Sequence, residues 1–251
     1  MIKDLLKNKV AVVTGGTRGI GLAIVRLYLE QGAKVILFGS RQETADKAVA
    51  ELKAENAEWE VFGMAPDLGD LQSVEQTVGN IIDKFQRIDI LVNNAGISAR
   101  ESIYDYAEAD FDKIMELNVK ALFNCSKAVA PFMRDNGGGC IINTSSMVSI
   151  YGQASGCGYP ASKSAVNGLT KSLARELGKD QIRVNAVAPG VTRTDMVAAL
   201  PDEMVAKVSA GIPLGRVSEP QEVANVFLFL ASDLASYVSG SIVSVDGATI
   251  V

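Results

Sequence analysis

The chain is 251 residues long, 48% hydrophobic and 21% charged, so it can bury a full core, and a single domain over 1–251 is the economical expectation. It carries a net charge of −5 and not one histidine, which excludes a Ser-His-Asp triad, a histidine-held metal and an imidazole proton shuttle. Its lysines and arginines form no basic stripe, and no apolar run is long enough for a bilayer, so neither a nucleic-acid partner nor a membrane is expected.

In chain order, Met1-Ile2-Lys3-Asp4-Leu5-Leu6-Lys7 is amphipathic and too short for the apolar region of a signal peptide, which points to the cytoplasm. Short β-branched runs at 9–14, 34–38, 60–64, 89–92, 140–143, 183–187 and 242–245 read as strands. Most are continuously apolar, as expected when both faces of a parallel sheet are covered. Helical periodicity falls between them at 19–31, 42–56, 71–85, 108–134, 158–178 and 220–231. Strand–helix alternation of this kind predicts an α/β, doubly wound sheet with right-handed crossovers. The one irregular region, 192–218, carries Pro201, Gly211, Pro213 and Gly215 around a short helical piece and reads as a lid. Cys125, Cys140 and Cys157 are odd in number and lack a C-x-x-C spacing, so they predict neither a disulfide framework nor a zinc site. They read as small apolar side chains in a reducing compartment.

The turn Thr14-Gly15-Gly16-Thr17-Arg18-Gly19-Ile20-Gly21 joins the first strand to the first helix. A helix starting there aims free N–H groups and its positive dipole end at an anion, beyond the carboxyl end of the sheet. The spacing is G-x-x-x-G-x-G rather than G-x-G-x-x-G. After the second strand comes Phe38-Gly39-Ser40-Arg41, with no carboxylate before Glu43. A carboxylate there would favour an unmodified ribose, whereas Arg41 with Arg18 can flank a 2′-phosphate. NADP(H) is therefore expected over NAD(H), against the alternative of two solvated arginines. Asp67, after the third strand, suits either an adenine amino group or a helix N-cap. Asn93-Asn94-Ala95-Gly96 forms a small polar turn after the fourth.

At the other end, Tyr159-Pro160-Ala161-Ser162-Lys163 opens a helix, with Pro160 tolerated in its first turn. Residues four apart share a face, so the Lys163 ammonium is placed to lower the Tyr159 phenol from about 10 toward neutrality. Tyr159 then serves as general acid for carbonyl reduction and as base for alcohol oxidation. Ser146 or its neighbour Ser145 can donate to the substrate oxygen. Asn118, on an apolar helical stretch, either links Lys163 to solvent through water or satisfies a nearby backbone group.

These segments in this order resemble the short-chain dehydrogenase/reductase family over essentially the whole chain. The resemblance implies a Rossmann-type seven-stranded fold and an Asn118–Ser146–Tyr159–Lys163 tetrad, and its spacing selects Ser146 over Ser145. It implies a dinucleotide held by Gly15, Thr17, Arg18, Gly19, Ile20, Gly21, Ser40, Arg41, Asp67, Leu68, Asn94, Ala95 and Gly96. Tyr159 and Lys163 complete that set with Pro189, Gly190, Thr192 and Thr194, and Lys163 also binds the nicotinamide ribose. It implies a homotetramer packed through 241–251 and the helices around Asn118 and Tyr159. Stretches such as Ala65-Pro66-Asp67-Leu68 and Val243-Ser244-Val245-Asp246-Gly247-Ala248 are similar to bacterial bile-acid 3α-hydroxysteroid dehydrogenases. NAD-using members of that group carry an acidic residue near Ser40, which this chain lacks. An apolar small-molecule alcohol or ketone fits Met147, Val148, Ile150 and Tyr151 after the serine, with Met196, Val197, Leu200, Met204 and Val208 on the lid. The rival readings are reduction of 3-oxoacyl-(acyl-carrier-protein), with Arg100, Arg134 and Arg193 as a thin docking patch, and an NADPH sensor or scaffold without turnover. A zinc-dependent dehydrogenase lacks its ligands here.

Overall fold

Val-Ala-Val-Val-Thr of β1 (Val10–Thr14) is buried at every position, and the alternation of its side chains feeds two cores. Ala11 and Val13 join Val35, Leu37, Ile90 and Val92 on one face, while Val10 and Val12 join Ile36, Phe38, Leu91 and Ile141 on the other. The structure, a computed structural model, describes residues 3–194 and 202–250. Among them β1, β2 (Lys34–Phe38), β3 (Val61–Met64), β4 (Ile90–Asn93), β5 (Gly139–Thr144), β6 (Ile182–Pro189) and β7 (Ile242–Val245) form one parallel sheet in the order β3-β2-β1-β4-β5-β6-β7. This is the Rossmann-type arrangement expected. Helices α1 (Gly19–Glu30), α2 (Gln42–Glu55) and α9 (Pro220–Ala231) cover the first face. Helices α3 (Leu71–Phe85), α5 (Ala121–Asp135) and α7 (Gly158–Leu177) cover the second. Each large side chain so enclosed contributes about 1.5–3 kcal/mol, which makes the two layers the main source of stability.

The chain runs outward from β1 to β3 and then returns to β4, so the order reverses between β1 and β4. A ligand crevice opens at such a reversal, past the carboxyl ends of the strands. Asp89 locks this pair at its other end: it accepts the Val10 N–H at 2.8 Å and pairs with Arg87.

Two sequence expectations change in detail. The single helix expected over 108–134 is α4 (Glu108–Met115), a π-turn at Glu116–Lys120, and then α5. The wider turn falls on the buried polar Asn118, whose side chain leaves the helix to bond the backbone of Ile97. At the expected lid, Thr192 and Ser218 form a parallel bridge that closes its base, and α8 (Asp202–Ala210) follows residues 195–201. Met196, Val197 and Leu200 lie outside the described residues. The short helix α6 (Val148–Tyr151) follows Ser146.

Candidate active site

The cleft at the sheet reversal is built by Thr14. Its hydroxyl accepts the N–H groups of Asn94 and Ala95, both at 2.9 Å. Asn94 Nδ2 returns bonds to the carbonyls of Thr14 and Gly15, each at 3.2 Å. Gly15 has φ +62°, and a Cβ on Gly21 would lie 2.0 Å from the Gly15 carbonyl oxygen, so side chains are barred where the turn folds on itself. Helix α1 begins there with no side-chain cap and no acidic residue in its first turn. Its leading N–H groups and dipole therefore face the cleft without an internal anion, which suits a dinucleotide pyrophosphate. A Cβ on Gly19 would lie 3.4 Å from Thr194, and one on Gly39 would lie 3.1 Å from Thr17. The glycine turn thus meets both the segment after β6 and the Ser40-Arg41 turn after β2.

Ser40, Arg41 and Arg18 are exposed, and neither arginine enters an ion pair among the described residues. Asp67 is exposed and accepts the Gly69 N–H at 2.9 Å, and it is Asp70, not Asp67, that caps α3. Asn124 anchors the neighbouring Leu68 carbonyl at 2.9 Å. Ile20 is half-buried in the first turn of α1.

The reacting end gathers on α7. The Ser146 hydroxyl stands beside the Tyr159 phenol and favours its ionised form, and Lys163 Nζ lies 5.8 Å from the Tyr159 ring centroid. The same Nζ donates to the Thr144 carbonyl at 2.7 Å. Asn118 binds Ile97 through both ends of its amide and donates to Ser162 Oγ at 3.0 Å, while Ser162 Oγ donates to the Tyr159 carbonyl at 2.7 Å. A Cβ on Gly96 would stand 3.0 Å from Asn118 Oδ1 and 3.6 Å from Lys163 Nζ, so the turn packs closely on both side chains. Asn118, Ser146, Tyr159 and Lys163 are thereby brought together from three separate segments, the π-turn, the turn after β5 and α7.

Between the two ends lies a cavity of about 10 Å³ lined by Thr14, Asn93, Asn118, Thr144 and Lys163 among others. That is about the room for one water. Asn93 Oδ1 is buried without a partner among the described residues.

Electrostatics differ from the sequence expectation. Burial raises the Tyr159 phenol, and the Ser146 hydroxyl only partly offsets it. Burial also brings Lys163 down from 10.5 to about 8. Burial is the dominant influence on the phenol, and the Lys163 amine donates a hydrogen bond to the Thr144 carbonyl. Both groups are pushed toward their neutral forms.

The structure separates the two candidate serines: Ser145 Oγ donates to Asn167 at 2.6 Å, leaving Ser146 with the phenol. Pro189 accepts from Met147 N–H at 3.0 Å and Gly190 donates to Val245 at 2.9 Å, so this pair links the serine turn to β7. Thr192 is buried, with its hydroxyl between Gly190 and Ser218. Ile150 and Tyr151, just past Ser146, are 56% and 54% exposed, as are Met204 (50%) and Leu214 (68%). Cys125 and Cys140 are buried, with thiols raised to about 12 and about 11, whereas Cys157 is exposed. Sequence reading placed Thr14 in the glycine turn without a role for its hydroxyl, and missed Ser149 and Asn167. Only Asn167 left a trace, by repeating the four-residue interval of Tyr159 and Lys163.

Over residues 15–248 the chain matches the family model described as Enoyl-(Acyl carrier protein) reductase. It is 62% identical, over 97% of its length and 98% of the relative's, to the 3alpha-hydroxysteroid dehydrogenase of Mediterraneibacter gnavus. It is 41% identical, over 96% and 97%, to the 3-oxoacyl-(acyl-carrier-protein) reductase FabG of Vibrio cholerae. With FabG of Thermotoga maritima the identity is 40%, over 98% and 99%.

Proposed function

Because the chain belongs to the short-chain dehydrogenase/reductase family, we propose that this oxidoreductase interconverts a secondary alcohol and a ketone on a hydroxysteroid or bile acid, with NADP(H) preferred over NAD(H). The observation that carries the chemistry is the Tyr159 phenol beside the Ser146 hydroxyl, with Lys163 one turn further along the same helix. When bound, the nicotinamide dinucleotide supplies or takes up the hydride at the carbinol carbon. Gly15, Gly19 and the first turn of α1 would hold its pyrophosphate, with Asp67 at the adenine and Arg18 and Arg41 at a 2′-phosphate. Lys163 would hold the nicotinamide ribose, and Thr192 and Thr194 its carboxamide.

In reduction the Tyr159 Oη–H protonates the carbonyl oxygen while Ser146 Oγ–H donates to it, stabilising the developing negative charge. In oxidation the phenol must first lose its proton, so oxidation is favoured by alkaline conditions. Asn118 holds the Gly96–Ile97 turn and borders the water-sized cavity beside Lys163, a route by which protons reach solvent. Exposed Ile150, Tyr151 and Leu214 offer an apolar wall to a ring system.

The carrier-protein reading draws on the FabG relatives, and the charge pattern opposes it. The segment that begins against Gly156 and Gly158 at the start of α7 carries Glu101, Asp105, Glu108, Asp110 and Asp112, an unfavourable surface for an acidic carrier. Arg134 and Arg193 are paired with Asp135 and Glu219. A groove of about 480 Å³ lined by Met115, Val119, Phe123 and Leu169 supports a homotetramer packed through these helices.

The deciding assay follows nicotinamide absorbance with NADPH and NADH separately, against oxo-bile acids and acetoacetyl thioesters. Turnover of thioesters alone would overturn the steroid reading. Tyr159→Phe is expected to lose nearly all turnover while keeping dinucleotide affinity, and retained turnover would reject the phenol's role. Ser40→Glu is expected to weaken NADPH far more than NADH, and equal effects would reject the preference.

A further inference from the structure

Three polar side chains outside the proposed chemistry stand directly behind Ser146. Ser145 donates its hydroxyl proton to Asn167 Oδ1 at 2.6 Å. Asn167 Nδ2 donates to Ser149 Oγ at 2.8 Å, and Ser149 Oγ donates to the Ser146 carbonyl at 2.6 Å. Each hydroxyl has one proton and each is used once, so the 3.2 Å between Ser145 Oγ and Ser149 Oγ is a contact within a satisfied circuit. Ser164 Oγ adds a bond to the Ser149 carbonyl at 2.9 Å. Ser164 and Asn167 belong to α7, and Tyr159, Lys163 and Asn167 recur along it at intervals of four. One helix therefore carries the proton-transfer pair and also grips the turn that bears its hydrogen-bonding serine.

We propose that Asn167 and Ser149 are positioning residues that hold Ser146 Oγ on the Tyr159 phenol and so aim it at the substrate oxygen. The strand β5 ends at Thr144, and the turn 145–149 that follows has few other fixings. Backbone bonds tie Ser145 N–H to Val187 and Met147 N–H to Pro189, the second on the same peptide plane as the Ser146 carbonyl, and Val148 N–H reaches Ser146 Oγ at 3.4 Å. Besides the Ser149 hydroxyl, among the described residues that carbonyl receives the Ser149 N–H at 3.0 Å. Removing the hydroxyl takes away the one side-chain bond from α6 to this carbonyl and loosens the turn against α7, and displacements of well under 1 Å misalign a donor at a reacting atom. The inference rests on the roles proposed above for Tyr159 and Ser146.

The test uses Ser149→Ala, Asn167→Leu and Ser149→Thr in the full chain. The first two are expected to lower kcat for alcohol oxidation at least tenfold, with the dinucleotide KM within twofold. Because the Ser146 hydroxyl favours the ionised phenol, both should also move the pH inflection of kcat upward. Ser149→Thr, which keeps the hydroxyl, should restore both. A readout without turnover is the titration midpoint of Tyr159 in the ligand-free protein, followed by NMR of ring-labelled tyrosine and identified with Tyr159→Phe. It should rise in Ser149→Ala and return in Ser149→Thr. A folded Ser149→Ala with kcat within twofold and an unmoved midpoint would overturn the inference, as would failure of the threonine to rescue. If the unsubstituted protein oxidises no secondary alcohol yet the midpoint still responds to Ser149, the proposed activity falls and the positioning role stands.

Discussion

Lys163 is the most costly side chain in the cleft, and Lys163→Met measures that cost. The amine is 4% exposed, and burial brings it from 10.5 to about 8. At about 1.4 kcal/mol per tenfold change in proton affinity, charging it in the folded protein costs about 3 kcal/mol. Methionine has similar length and no charge, so the substitution removes this penalty while giving up the bond to Thr144, about 1.5 kcal/mol. The variant should be more stable by about 2 kcal/mol below pH 8, raising Tm by roughly 4–8 °C for a chain of this size. Between pH 8 and 10.5 the unfolded chain still holds this proton and the folded chain does not. The unsubstituted protein therefore gains stability as pH rises through that window, and the gap to Lys163→Met should close by its upper end. Thermal unfolding without dinucleotide, from pH 7 to 10.5, reads both effects. A variant that melts lower at pH 7, or a gap that does not change with pH, refutes the claim that burial of the ammonium is a net cost.

Gly21→Ala would set a Cβ 2.0 Å from the Gly15 carbonyl; dinucleotide affinity should fall at least about 100-fold, since the cradle must open, and titration calorimetry showing an unchanged Kd would contradict this. Gly156 has φ +75°, and a Cβ there would meet the Ala99 oxygen at 2.2 Å. Gly156→Ala should cost about 1–3 kcal/mol and lower Tm; an unaltered melting curve would mean that the two loops are not clamped. Phe123 is 44% exposed in the apolar groove, so Phe123→Glu should shift sedimentation toward smaller species, and an unchanged profile would remove this face from any assembly.

The sheet was legible because its strands are short, nearly pure apolar runs, and Val10 to Thr14 read the same whether the core lies above or below. Helix ends followed from Pro220, Gly19 and the polar interruptions. The π-turn at Glu116–Lys120 was not legible, since a single added residue leaves the helical period almost intact and only the buried Asn118 betrays it. The Ser145–Asn167–Ser149 circuit was equally silent. It joins residues up to 22 apart in sequence through side chains that, read singly, look like ordinary helix surface.

The phenol shows why proximity in sequence misleads about charge. Spacing correctly put Tyr159 and Lys163 on one helix, and Coulomb's law then favoured an acidified tyrosine. Spacing carries no information on how dry the site is or which carbonyl the ammonium finds. Once both groups are withdrawn from water, each prefers its neutral form, and the ammonium turns to Thr144. The ligand-free site therefore rests with a protonated phenol, the form that can give a proton to a ketone oxygen. Of the neighbours, Ser146 is the one that pulls this phenol toward ionisation. Control of the proton thus passes from the lysine that the sequence advertises to the serine turn that Asn167 and Ser149 hold.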